Sequence, residues 1–387
     1  MKTDVAAGLA RRQFLAAAGL AAAAAFVPPL RAAPAAARTA RAWRGYDGAI
    51  VIDTLSGGPV SSTASIDTLP LDAHALAETR KSGLTACNVT VSGVGSYAND
   101  YASTIQAIAY WNGEIAANPG ALSLIRRAAD IADAKKYGRL GLIYGFQDAT
   151  PFGEDAKRLD EFYGLGVRVF QLTYNRRNLV GDGCLEPGNA GLSKFGLELV
   201  QKINAKRGLI DLSHSGQRTA LEAIAASKAP VAISHTACAA LVARPRNKTD
   251  EELKALADKG GVAGMYLMPF LRLEGQPMAE DLVRHIDHAV KVCGEDHVSI
   301  GTDGVLNAVE LTPEYQKMFH EFVAGRVAAG IAAPGESPDV YNLLPDLNTA
   351  DRFDTLAHLL SRRGYPDARI AKIIGGNFAR LFGEVCG

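Results

Sequence analysis

Two serine–histidine pairs are the residues of this chain best placed to do chemistry. Ser213-His214 closes an apolar run that begins at Arg207, and Ser234-His235 closes another that begins at Ala229. Between them lies the helix-like stretch Q-R-T-A-L-E-A-I-A-A-S-K. If the two runs are neighbouring parallel strands joined by a crossover helix, both histidines sit at the carboxyl end of one sheet. That is where α/β proteins bind ligands and metals. Two imidazoles from adjacent strand ends can converge on one zinc ion, which lowers the pKa of bound water towards ~7 and polarises a carbonyl. A zinc site usually takes three protein ligands and a water. Gln147, Cys184, Glu186 and Asp303 are the candidates for the third. Asp303 can also take the proton of an attacking water and hand it to a leaving amine. The chemistry expected is metal-assisted hydrolysis.

The elements that must hold these side chains recur along the chain. Short β-type runs start at Ala49, Ala86, Leu140, Val167, Arg207, Ala229, Val262 and His297. Helical patterns separate them, around Ala73 to Lys81, from about Tyr101 to Lys136, from Asp155 to Tyr163 and from Glu280 to Val292. Eight βα units in alternation predict a (β/α)8 TIM-type barrel. The segment from Pro313 to Arg380 is helical in pattern and is expected to finish the outer ring and pack below or beside the barrel. In such a barrel the strand ends face the mouth. Here they are Asp53, Gln147, Tyr174-Asn175, His214, His235 and Asp303, a polar set.

The chain has 387 residues with 41 basic and 41 acidic side chains, a balance that offers no footprint for nucleic acid or an anionic membrane surface. With 48% hydrophobic residues it is globular rather than disordered. Its five cysteines lack any C-x-x-C pair, and the Gly-rich pieces lack a phosphate-loop pattern. At the amino terminus, A-R-R-Q-F-L precedes an alanine-rich apolar run, two prolines and small residues. This order reads as a signal peptide of twin-arginine type. The expected organisation is a signal and cleavage region over residues 1–40 and a single barrel domain over 41–387. The expected destination is the periplasm or another exported location, with the twin-arginine machinery as a partner.

The chain resembles the membrane (renal) dipeptidase family, the M19 metallopeptidases, over almost all of its mature length. The carriers include L-T-Y-N at Leu172, G-L-S-K-F-G at Gly191, I-D-L-S-H at Ile210, Ser234-His235, R-P-R-N at Arg244 and I-G-T-D-G at Ile300. The resemblance implies a (β/α)8 barrel, two zinc ions and a small peptide substrate. It implies that His214 and His235 bind the second zinc, that Asp303 lies near the substrate and that Arg246 holds the substrate carboxylate. A homodimer is compatible with it.

This chain also departs from that pattern. The family's first strand ends D-G-H-N-D, and its His and second Asp bind the first zinc. The matching stretch here is Asp53-Thr54-Leu55-Ser56-Gly57, which has neither ligand. The bridging glutamate falls at or near Gln147, and the histidine of L-T-H-N is Tyr174, a phenol able to donate to an oxyanion. The expectation is therefore a dipeptidase-like hydrolase with one zinc ion. The alternatives are a barrel that has lost catalysis and binds a ligand, or a hydrolase of another amide or ester.

Overall fold

The computed structural model describes residues 40–60 and 70–387, so the signal-peptide expectation lies outside the described residues. In chain order the elements are β1 (Ile52–Ser56), α1 (Ala73–Ser82), β2 (Ala86–Thr90), α2 (Tyr97–Ala117), β3 (Leu122–Leu124) and α3 (Ala128–Tyr137). They continue with β4 (Leu140–Phe146), α4 (Arg158–Gly164), β5 (Val167–Gln171), α5 (Lys194–Ala205), β6 (Leu209–Asp211), α6 (Gln217–Ala226), β7 (Ala232–Thr236), α7 (Asp250–Asp258) and β8 (Val262–Met265). The last are α8 (Ala279–Cys293), β9 (Val298–Ile300), α9 (Pro313–Ala328), α10 (Arg352–Arg362), α11 (Asp367–Ala371) and α12 (Asn377–Cys386).

Eight strands pair in parallel in the order β1-β2-β4-β5-β6-β7-β8-β9, and the short β3 adds to β4 from outside this path. The ring closes between β1 and the segment leaving β9. Thr54 Oγ1 donates to the Ile300 carbonyl at 3.0 Å, and the Asp303 amide donates to the Leu55 carbonyl at 3.0 Å. The interior is tight there. A Cβ at Gly301 would sit on the Ser234 carbonyl and Thr54 Oγ1, so only glycine lets the closing strands approach. This is the (β/α)8 architecture that the alternating runs predict.

Seven strands each send one apolar side chain to the lower layer of the barrel: Ile52, Ala86, Ile143, Val169, Leu209, Ala232 and Val262. The final helix plugs this end with Phe378, Leu381, Phe382 and Val385. Its capacity to do so is written in the sequence, because these four residues repeat at helical spacing on one face. Phe378→Ala removes a fully buried ring from the plug and is expected to destabilise the fold by about 3–5 kcal/mol. Urea unfolding measures that loss, and kcat of the folded protein should stay unchanged.

Three sequence expectations are corrected. The stretch from Tyr101 to Lys136 is not one helix: Asn118-Pro119-Gly120 ends α2, and β3 intervenes before α3. The first strand does not stop at Asp53 but runs to Ser56. Asp53 is buried inside it, where its carboxylate accepts from the Thr302 amide at 2.8 Å and from Thr302 Oγ1 at 2.6 Å. It ties the barrel seam and is not a group of the mouth. The segment from Pro313 to Arg380 is not continuously helical either. Residues 329–351 contain only a single 3-10 turn, Pro345–Leu347.

The non-helical part forms a strap. Asn175 Nδ2 donates to the Ile331 carbonyl at 2.7 Å and Arg176 Nε to the Gly330 carbonyl at 2.7 Å. Further on, Gln276 Nε2 donates to the Tyr341 and Leu343 carbonyls at 3.1 and 2.6 Å. The strap thus joins the loops that follow β5 and β8 at the carboxyl end of the sheet.

Candidate active site

His214 follows β6 and His235 is the penultimate residue of β7, and the fold brings their Nε2 atoms to 2.8 Å. The serine beside each histidine sets this geometry. Ser213 and Ser234 both donate through amide and hydroxyl to the buried carboxylate of Asp211, at the end of β6. That carboxylate is held between the two strand ends, and burial raises its pKa against the pull of these four donors.

The network also assigns both ring tautomers. Asn175 Nδ2 faces a carbonyl, so Asn175 Oδ1 faces His214 Nδ1 at 2.6 Å and must accept from it. His214 Nε2 therefore carries a lone pair. Ser234 spends its hydrogen on Asp211, so its oxygen accepts from His235 Nδ1 at 2.8 Å. His235 Nε2 then carries a lone pair as well. Burial, and after it the charge of Arg246, hold both imidazoles well below the usual histidine range, so both are neutral. Two lone pairs facing each other repel unless a cation lies between them. This donor set fits a metal ion.

The third ligand is not assigned by this geometry. Among the described residues no group of three His, Cys, Asp or Glu side chains is placed to hold a metal. Gln147 turns its Nε2 to Asp303 Oδ1 at 3.2 Å. Cys184 points its thiol at Asn175 Oδ1, 3.4 Å away, and burial raises its pKa. Glu186 accepts from the Arg177 amide at 2.8 Å. Cys184 and Glu186 belong to a loop pressed onto the backbone of Tyr174 and Asn175. A Cβ at Gly183 would collide with the Tyr174 carbonyl, which explains the glycine. The loop is pinned by the Cys184 amide on the His214 carbonyl at 2.8 Å.

Asp303 follows β9 with a left-handed backbone, φ 56°. This sparsely populated conformation for a non-glycine residue is held by the barrel seam. Burial raises its carboxyl pKa to about 6, opposed by the Arg246 charge and the Gln147 amide. A carboxyl poised there can take and return a proton near neutral pH.

Arg246 is buried, and its Nη1 donates to the Ser213 carbonyl at 2.8 Å. Its Nη2 is buried without a hydrogen-bond partner, and among the described residues no carboxylate pairs with it. Neighbouring Asn247 fixes the turn through the Val242 and Phe270 carbonyls at 2.8 and 3.0 Å. A desolvated guanidinium with a free N–H and no carboxylate in contact is a receptor for an anion.

Tyr174 stacks on His214 with ring centroids 4.1 Å apart and planes 25° apart. Its hydroxyl accepts from Arg326 Nη1 at 3.1 Å. Sequence reasoning missed Arg326 and its partner Glu336. They reach the mouth from α9 and the strap, and neither carries a local signal. The role of Asp211 was missed too, although its place two residues before Ser213 could have shown it.

The profile described as membrane dipeptidase (peptidase family M19) matches residues 71–324. A Klebsiella pneumoniae protein named as an uncharacterized protein in the pqqA 5'region is 32% identical over 70% of this chain and 92% of its own length. Dipeptidase verJ of Clonostachys rogersoniana is 29% identical over 68% of this chain and 60% of its own. The solved structure of an amidohydrolase from Pseudomonas aeruginosa is 33% identical, covers 88% of this chain and 97% of its own, and superposes with a TM-score of 0.74. The chain belongs to the membrane dipeptidase family, peptidase family M19, and is a metallo-dipeptidase-like hydrolase whose family membership implies a metal cofactor.

Proposed function

We propose that this protein hydrolyses dipeptides or related small amides with one zinc ion held by His214 and His235. The juxtaposition that supports this reading is a pair of inward-facing imidazole lone pairs beside a buried guanidinium that lacks a carboxylate. The zinc ion supplies Lewis acidity and a water more acidic than bulk water. Arg246 takes the carboxylate of the substrate through its free Nη2 and aligns the scissile amide. Water oxygen adds to the amide carbon, and Asp303 accepts the water proton. The phenol of Tyr174 donates to the oxyanion. Asp303 returns the proton to the amine nitrogen as the carbon–nitrogen bond breaks, so one water is consumed and one acid and one amine are released.

The loss of both first-zinc ligands at Leu55 and Gly57, read from the family resemblance, supports one ion rather than two. The basic and apolar segment within residues 1–40 supports export by the twin-arginine machinery to the periplasm.

Zinc-replete and chelated protein should be compared on dipeptides, N-acyl amino acids and small esters. Dipeptide turnover that disappears with the metal is expected. Metal-dependent turnover of esters alone would point to a different hydrolase. Ligand-induced thermal stabilisation without any turnover would leave a binding barrel.

Arg246→Met tests the carboxylate grip. A charged hydrogen bond of about 1.5–3 kcal/mol converts to a rise in KM of about 10- to 100-fold. kcat should change little, because that contact is equally strong in ground and transition states. The Arg246 charge lowers the Asp303 pKa, so the acid limb of the pH–rate profile should also move to higher pH in this variant.

A further inference from the structure

We propose that Arg326 is a positioning residue for Tyr174, and that the two together supply the oxyanion donor of the site. This rests on the hydrolase reading above. Arg326 lies on α9, past residue 324 where the family match ends. A guanidinium only donates, so its bond to Tyr174 leaves the phenol oxygen as acceptor and the phenol hydrogen unspent. Among the described residues no acceptor takes that hydrogen. The stacking of the ring on His214 holds the hydroxyl beside the imidazole pair.

A phenol alone offers a hydrogen but no positive charge. The guanidinium bonded to its oxygen supplies the charge and polarises the O–H bond towards an incoming oxyanion. Arg326 is itself fixed. Its Nε and Nη2 contact the two carboxylate oxygens of Glu336 at 2.5 and 2.9 Å, and Glu336 Oε1 also accepts from the Ala333 amide at 2.8 Å. Both side chains are largely buried, at 15% and 5% exposure, which makes this fork more rigid than a surface ion pair. Arg326 Nη2 also donates to the Ile331 carbonyl of the strap at 3.4 Å, and a clasp for the strap alone would not need the further bond to the phenol.

The test uses the full zinc-loaded chain and four variants: Tyr174→Phe, Arg326→Met, Arg326→Lys and the double change Arg326→Met with Tyr174→Phe. Each is read for kcat and KM on a dipeptide. Each is also read by calorimetry for Kd of a phosphinate dipeptide analogue, whose tetrahedral anion imitates the addition intermediate. Each single loss should lower kcat about 10²-fold with KM nearly unchanged. The double change should cost no more than Tyr174→Phe alone, and the phosphinate Kd should follow the same non-additive pattern. Arg326→Lys should recover part of the loss.

Unchanged kcat in Arg326→Met, or losses that simply multiply in the double variant, would overturn the proposal, even with a lowered unfolding temperature. Should Arg326→Met fail to fold, Arg326→Lys with and without Tyr174→Phe gives the same coupling. A wild-type chain that neither cleaves dipeptides nor binds the phosphinate would instead overturn the hydrolase reading itself.

Discussion

His214→Ala and His235→Ala should each lower kcat/KM by about 10³-fold or more. The metal contributes several kcal/mol of transition-state stabilisation, at about 1.4 kcal/mol per tenfold in rate. With only two imidazoles assigned to the ion, neither loss has a spare protein ligand to compensate it. The effect on affinity should exceed the roughly 10- to 100-fold cost of losing an outer-shell partner. Asn175 and Ser234 are such partners here, since each holds the Nδ1 of one histidine. Equilibrium dialysis against zinc would show the affinity loss directly. Loss of activity with unchanged zinc affinity would contradict this role.

Asp303→Asn has the second largest expected effect, a fall in kcat/KM of about 10²- to 10⁴-fold, the range for loss of a general base. The same residue sets the pH dependence. Its carboxyl must be ionised to accept a proton, and burial has raised its pKa to about 6. Activity should therefore be low below pH 6, rise through that value and level off above it. The sign is that of a base: protonation on the acid side removes the function. In Asp303→Asn the residual activity should lack this limb. A wild-type profile with no acid limb near pH 6, or an unchanged limb in the variant, would remove Asp303 from the proton path. Gln147 modulates the same group. Its amide donates to Asp303 Oδ1 and favours the charged form, so Gln147→Ala should shift the limb towards higher pH.

The barrel was legible because each strand is a short apolar run buried on both faces, and because helical spacing fills the gaps. The histidine pair was legible because each ends such a run. What escaped had physical reasons. β3 hides in an alanine-rich stretch where Asn112-Gly113, inside α2, and Asn118-Pro119-Gly120, at its end, offer competing turn signals. Asp53 looked like a strand end because an aspartate is normally solvated, yet Thr302 satisfies it inside the seam. Arg326 meets Tyr174 across 152 positions of sequence, and no local pattern encodes a contact that the strap creates. Arg246 was visible only through the family resemblance, because in isolation an arginine between a proline and an asparagine reads as a surface residue. Its burial with an unpartnered Nη2 is a property of the folded chain alone.

The central claim is a single metal centre made by the two strand-end histidines, and the most direct measurement is the metal content of the purified protein. Elemental analysis of the purified chain, with His214→Ala alongside, should give close to one zinc per wild-type chain and close to none in the variant. Two ions per wild-type chain, or an unchanged content in His214→Ala, would contradict it.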